Sequence, residues 1–344
     1  MRLVVSGYFG YGNAGDEAVL AGMLESLRAE AGGIDVTVLS GDPAHTVRTH
    51  GVPAIRRMDA RAVIGALRAS DGLVSGGGSL LQDRTSARPV AYYAGVMALA
   101  RLARRPYVIY AQGLGPIERA VNRRLAAMAL RGAAYVSLRD EASVALAREL
   151  GVRRPIEVVP DPALALHPSG SGAGDHVLVA VRPWGPDRAY LAELNAALRE
   201  LASDARILAL PMHETVDRGV SAEVVAGIAG AGVTMAGAEL DAQLAAIGSA
   251  RLVIGMRLHA LVLAAAAGVP AIAVSYDPKV DAFATRMGQA VVGHVGAPIE
   301  PSAVVAAARE AMASDPAPYG ERVAELRGQL RRAATGSLAA LRGG

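Results

Sequence analysis

The residues best suited to chemistry sit in one short segment, Gly255-Met256-Arg257-Leu258-His259-Ala260. Arg257 and His259 are the only polar side chains between Ile254 and Ser275. An arginine inside so apolar a stretch has to be paired or to bind something. An imidazole titrates near neutral pH, so His259 can carry a proton. A lone core histidine bonded to backbone is the structural alternative, and the neighbouring arginine tips the reading toward a site. A second candidate is Arg139 in Ser137-Leu138-Arg139-Asp140-Glu141, at the end of another apolar run. It either faces a ligand or pairs with Asp140 or Glu141. The only lysine, Lys279, follows the apolar run Ala271–Ser275 and is a further cation for a ligand. His213-Glu214 reads as a solvated loop. None of the histidines has a metal-ligand spacing with a neighbour, so no metal site is expected.

Several glycine-rich loops accompany these residues. The first is Gly7-Tyr8-Phe9-Gly10-Tyr11-Gly12-Asn13-Ala14-Gly15-Asp16-Glu17. It matches the dinucleotide pattern G-x-G-x-x-G only formally. Asp16 and Glu17 fall where a pyrophosphate would meet the positive end of the helix, and they would repel it. Asp16 is either an N-cap or a carboxylate able to orient or deprotonate a hydroxyl. The second loop is Ser75-Gly76-Gly77-Gly78-Ser79-Leu80-Leu81-Gln82-Asp83, where bare backbone can approach a ligand closely. A third, Gln112-Gly113-Leu114-Gly115-Pro116, follows an apolar run in the same way.

The elements that must hold these loops are legible as an alternation. Apolar runs at Arg2–Ser6, Asp35–Leu39, Gly72–Ser75, Tyr107–Ala111, Tyr135–Leu138 and Ile156–Val159 read as buried parallel strands. A second series runs Val177–Val181, Arg206–Leu210, Val233–Met235, Leu252–Gly255 and Ala271–Ser275. Helical patterns fill the gaps. Alternation of this kind implies βαβ units, and the fold class is α/β, two Rossmann-like doubly wound domains facing across a cleft (GT-B-like). The small-residue stretch 167–174 reads as the linker. The domains are then 1–168 and 175–344, with Arg139 in the first and Arg257-Leu258-His259 in the second, which also takes the two terminal helices.

Composition narrows the function classes. The chain has 344 residues and no cysteine, so disulfides, thiolate metal sites and thiol nucleophiles are excluded. A formal net charge of +3 does not announce a nucleic-acid binder. Met1–Gly7 reads as a strand entering a glycine turn, and Ala260–Val274 is broken by Gly268 and Pro270. Neither is a secretion signal or a bilayer span, and a cytoplasmic protein is expected. Of the 35 Lys plus Arg, 34 are arginines, a bias that by itself indicates no anion. Seven of them, Arg101, Arg104, Arg105, Arg119, Arg123, Arg124 and Arg131, face one acid, Glu118, over 101–131. That segment either rests on anionic lipid at the inner membrane face or is a solvated surface.

Taken in order, the loops resemble the polysaccharide pyruvyl transferases of the cell-wall (CsaB) type. The pieces are Gly-Tyr-Gly-Asn-Ala-Gly-Asp-Glu at 10–17, Gly-Gly-Gly-Ser-Leu-Leu-Gln-Asp at 76–83, Thr85-Ser86, Tyr92-Tyr93, 112–116, Arg139-Asp140, Asp161-Pro162-Ala163 and Arg257-Leu258-His259. The resemblance implies phosphoenolpyruvate as donor and no cofactor. It implies a pyruvate ketal formed on an N-acetylmannosamine-type sugar of a lipid-diphosphate-linked disaccharide, in a polymer that anchors surface-layer proteins. It assigns the donor to Arg257, Leu258, His259 and Arg139, and places the family's first-loop aspartate on Asp16. His259, Arg257, Asp16 and Arg139 are thus the catalytic candidates. Asn13, Gly77, Gly78, Ser79, Gln82, Asp83, Leu258 and Lys279 are the substrate-binding candidates. The alternative is a nucleotide-sugar glycosyltransferase on the same architecture.

Overall fold

Unbroken apolar runs become central parallel strands because helices cover both faces of their sheet. A computed structural model describes residues 1–84, 86–168, 174–185, 188–228, 234–237 and 239–343. Thr85, Val233 and positions 169–173 of the expected linker lie outside the described residues. By its internal contacts the chain divides into two α/β units. One comprises Met1–Tyr11, Val19–Ala165 and Leu326–Gly344, the other Gly12–Ala18 and Leu166–Glu325.

The first unit holds β1 (Arg2–Phe9), β2 (Asp35–Ser40), β3 (Ala54–Arg56), β4 (Gly72–Gly76), β5 (Tyr107–Gln112), β6 (Tyr135–Leu138) and β7 (Glu157–Val158). All pair in parallel, in the order β3-β2-β1-β4-β5-β6-β7. Its helices are α1 (Ala14–Glu30), whose first turn groups with the other unit, α2 (Pro43–His50), α3 (Ala60–Ala69), α4 (Arg88–Leu102), α5 (Ala120–Gly132) and α6 (Glu141–Glu149). The direction of strand addition reverses between β1 and β4. Loops at such a switch point are splayed apart at the carboxyl ends of their strands, which is where ligands bind in open sheets.

The second unit repeats the plan with β8 (His176–Ala180), β9 (Arg206–Ala209), β10 (Thr234–Met235), β11 (Leu252–Gly255), β12 (Ala271–Ser275) and β13 (Ala290–His294). Its order is β10-β9-β8-β11-β12-β13, so the switch lies between β8 and β11. The helices are α7 (Tyr190–Leu201), α8 (Glu214–Gly227), α9 (Leu240–Gly248), α10 (Leu258–Ala267), α11 (Pro278–Met287), α12 (Pro301–Ala313) and α13 (Ala317–Arg342).

One expectation about the ends is corrected. The sequence reading gives both terminal helices to the second domain, yet α13 groups with the first unit from Leu326 onward. The physical reason is its apolar stripe. Leu326, Leu330, Ala333, Leu338 and Leu341 are buried at helical spacing. The Tyr110 hydroxyl donates to the Leu330 carbonyl at 3.4 Å, and Arg327 Nε donates to the Leu164 carbonyl at 3.0 Å. Among the described residues, no helix is long and apolar enough to cross a membrane.

Candidate active site

In the second unit, β11 ends at Gly255 and α10 starts at Leu258, with Arg257 at the N-cap position. The Met256 amide donates to the Ala180 carbonyl at 2.8 Å, so this loop lies beside the end of β8. Leu258 and every residue from Ala260 to Ala266 are buried, which fixes the helix and leaves His259 half-buried at its first turn. The imidazole packs on Gly15. A Cβ at that glycine would stand 2.2 Å from His259 Nδ1, so no larger residue fits. Gly15 itself is held by Asn13, whose Oδ1 accepts the Gly15 amide at 3.1 Å. The Ala14 amide reaches the Met212 carbonyl at 2.9 Å.

This settles the role of two loop residues in the helix. Asn13 occupies the N-cap position, its carbonyl accepting the Glu17 amide at 3.0 Å. Asp16 is therefore not the cap. It lies in the first turn, where the helix end favours a carboxylate, and its Oδ2 accepts from Asn13 Nδ2.

Arg257 is held more firmly than its sequence suggested. Its Nε donates to Asp217 Oδ2 at 2.9 Å, and its Nη2 donates to Asp217 Oδ1. Asp217 is fully buried and also accepts the His213 amide at 2.9 Å. A bidentate pair of this kind fixes the plane of the guanidinium. Nη1 takes no part in the fork. His213, expected as a solvated loop residue, sits against this pair. Burial pushes its imidazole pKa below the ordinary value, and the Arg257 charge pushes it the same way, partly offset by Asp217.

A cation missed by the sequence reading stands on the other side of the switch point. Arg182 follows β8. Its guanidinium carbon lies 4.5 Å from the Tyr276 ring centre and 5.6 Å from that of Trp184. Its backbone carbonyl accepts the hydroxyl of buried Tyr190, which anchors the loop. Among the described residues Arg182 has no carboxylate partner, and its buried Nε has no acceptor. Lys279, after β12, is 5.6 Å from the same Tyr276 ring and 3.9 Å from the Asp277 carboxylate that caps α11.

In the first unit the loops are cross-braced. Arg139 Nη1 donates to Asp161 Oδ2 at 3.1 Å and Nη2 to Ser79 Oγ at 3.1 Å. Asp140, one of its two expected partners, makes a longer ion pair with Arg139 Nε at 3.9 Å and also caps α6. Gly113 is bare for a reason: a Cβ there would lie 2.6 Å from Ser79 Oγ and 2.9 Å from Arg139 Nη2. Gly77 and Gly78 both adopt positive φ, 74° and 68°, and a Cβ on Gly77 would strike Val19. Gln82 Oε1 accepts the Arg84 amide at 2.9 Å.

Asp83 is held from inside the fold. It is a substrate-binding candidate by sequence, and in the structure both its oxygens accept hydrogen bonds from the fold itself. They accept the Glu118 amide (2.9 Å), the Arg119 amide (3.0 Å) and Asn122 Nδ2 (3.0 Å). Burial raises its pKa, and these donors more than offset that, holding the carboxyl below its usual range. The Tyr92-Tyr93 pair also has a local explanation. Tyr92 lies 3.9 Å and Tyr93 5.2 Å, ring centre to guanidinium, from Arg57, and the Tyr92 hydroxyl donates to the Arg57 carbonyl at 3.0 Å.

The model of the polysaccharide pyruvyl transferase family matches residues 13–278, which include both braced arginines and His259. The chain belongs to that family. No curated protein matches it. Solved structures share its fold. UDP-GlcNAc 2-epimerase from Neisseria meningitidis is 13% identical, with 100% of each chain covered and a TM-score of 0.65. A putative UDP-N-acetylglucosamine 2-epimerase from Listeria monocytogenes is 13% identical over 98% of this chain and 92% of that one, with a TM-score of 0.59. The 2-epimerase of Methanocaldococcus jannaschii is 12% identical over 92% and 94%, with a TM-score of 0.57. At such identities the likeness establishes the architecture, a GT-B pair of parallel-sheet units, and the family match rather than these neighbours speaks to the chemistry.

Among the described residues no cluster of three His, Asp or Glu is arranged to hold a metal ion. Two functional-looking residues escaped sequence reasoning. Asp217 looked like one more acid in the first turns of a helix. Arg182 was one arginine among 34.

Proposed function

We propose that this protein transfers the enolpyruvyl carbons of phosphoenolpyruvate to two hydroxyls of a cell-wall sugar of the N-acetylmannosamine type. The acceptor in this reading is a lipid-diphosphate-linked disaccharide, the product a pyruvate ketal of the kind that anchors surface-layer proteins, and no cofactor takes part. The observation that carries the reading is the pairing of His259 with a fixed Arg257 at the switch point of the second unit, in a chain of this family.

The donor bears a phosphate and a carboxylate, and planar arginine forks match both. Arg257, oriented by Asp217, offers Nη1 to one of them, and Arg182 and Lys279 add positive charge at the ends of neighbouring strands. Arg139 is a donor residue by the family resemblance. His259 protonates the methylene carbon, leaving an oxocarbenium-like centre at the middle carbon. One sugar hydroxyl attacks that centre and loses its proton, with Asp16 as its acceptor or orienter. Phosphate departs with the bonding electrons of its C–O bond. The second hydroxyl then closes the ring and releases the second proton.

The test is incubation with phosphoenolpyruvate and a synthetic diphosphate-linked disaccharide. Release of phosphate with a gain of pyruvate mass on the sugar is expected. Sugar transfer from a nucleotide sugar in the same assay, with no phosphate release from phosphoenolpyruvate, would replace this reading with glycosyl transfer.

A further inference from the structure

Two neighbouring helices of the first unit carry a basic surface with large apolar side chains exposed on it. Neither α4 nor α5 contains a single acidic residue. A solvated helix surface ordinarily mixes both signs of charge. Here the exposed stripe of α5 is Val121, Arg124, Met128 and Arg131, at spacings of three, four and three. Val121 is 66% exposed and Met128 63%. The exposed stripe of α4 is Ala91, Gly95, Ala98 and Leu102, and Leu102 is 80% exposed. Around these apolar chains stand Arg88, Arg101, Arg104 and Arg119, all exposed.

The arginines are not neutralised. Arg123 pairs with Glu149 at 3.6 Å, but Arg88, Arg101, Arg104, Arg119, Arg124 and Arg131 have no ion-pair partner among the described residues. Beneath the stripes the helices are well packed. Val90, Met97, Ala126 and Leu130 are buried in the core of the unit, so the exposed residues are not a frayed interior. A basic helix surface that also presents large apolar side chains is what an anionic lipid surface accommodates. The guanidinium groups meet phosphates, and the apolar chains enter the headgroup–acyl boundary. A nucleic acid would use the charge but would gain nothing from exposed Leu102, Val121 and Met128.

We propose that the α4–α5 surface docks this protein onto an anionic bilayer, with Leu102, Val121 and Met128 inserted and the surrounding arginines on lipid phosphates. The proposal is independent of pyruvyl transfer, because binding requires no turnover.

Flotation of the full chain with vesicles tests it, using phosphatidylglycerol mixed with phosphatidylcholine against phosphatidylcholine alone. Flotation with the anionic vesicles only is expected, and about 1 M salt, where charges are screened beyond about 3 Å, should release most of the protein. Leu102→Ser, Val121→Ser and Met128→Ser combined should weaken binding at least tenfold, since each removes exposed apolar contact. Arg104→Gln with Arg124→Gln should weaken it by roughly fivefold per arginine. All five positions are exposed, so thermal melting of the variants should match the parent. No flotation overturns the proposal. So does a serine variant that floats like the parent, which would mean attraction by charge alone. A phosphate-releasing enzyme that ignores vesicles would sink the surface and leave the chemistry standing. A protein that floats without releasing phosphate would do the reverse.

Discussion

The two units use the same device for opposite ends. Each puts an arginine just past the end of a strand and holds it with a buried aspartate, Arg139 with Asp161 in the first and Arg257 with Asp217 in the second. In the first unit the guanidinium is spread over Asp161 and Ser79, and the nearby loops are tied down by Asp83. The positive charge there is largely consumed in bracing. In the second unit one carboxylate takes two nitrogens of Arg257, and Arg182 stands beside the switch point with aromatic rings in place of an acid. A surplus of positive charge remains there, next to the half-buried His259 imidazole on an apolar helix. Net local charge, rather than the number of arginines, is what distinguishes the two units.

The sharpest way to break this comparison is at His259. General acid–base help is worth about 10²–10⁴ in rate, so His259→Ala should slow phosphate release by that factor while melting stays near the parent's. Turnover at the parental rate would move the proton transfer away from the second unit altogether.

The next largest effect concerns the braces. Removing one partner of a buried ion pair costs about 3–5 kcal/mol because the other charge is stranded. Asp217→Ala should fall in that range by urea unfolding. Asp161→Ala should cost less, since Arg139 keeps Ser79 and has Asp140 at 3.9 Å to turn to. Equal losses would mean the two braces are energetically alike and the contrast between the units is only one of appearance.

How much of this was legible beforehand follows from where information sits. Central strands such as Leu252–Gly255 and Ala271–Ser275 matched their sequence limits, because burial on both faces makes them unbroken apolar runs. The edge strands Ala54–Arg56 and Ala290–His294 went unread, because neither is buried along its length and neither stands out as a buried apolar run. Arg257 and His259 were legible because polarity stands out against an apolar background. Their partners were not. Asp217 lies forty positions from Arg257 in sequence, and only the folded chain, which brings the first turn of α8 to the loop between β11 and α10, makes it a brace. Arg182 was invisible for a related reason. An arginine without an acid nearby in space looks, in sequence, like any other.

Removing the charge at Arg182 sharpens the claim of surplus charge directly. A hydrogen bond to a charged group is worth about 1.5–3 kcal/mol, so Arg182→Gln should weaken phosphoenolpyruvate binding by about tenfold to a hundredfold in calorimetry. A purely structural cation stacked on Tyr276 would instead lower the melting temperature and leave donor affinity unchanged.

The smallest expected effect is a pH dependence that the second unit alone should show through His213. Its pKa in the folded state lies below the ordinary 6.5, from burial and the Arg257 charge. The folded protein therefore binds fewer protons at this site than the unfolded chain does. The stability linked to His213 is fully present above about pH 6.5 and is lost as pH falls from there through the lower folded value. His213→Gln cannot titrate, so its urea midpoint should decline less than the parent's between about pH 7.5 and about pH 5.5. The parent and the variant differ only at this imidazole, so the difference between their two declines isolates it from every other titrating group. Parallel declines would show that neither burial nor the Arg257 charge lowers the His213 pKa, so that the second unit leaves no electrostatic mark on this imidazole.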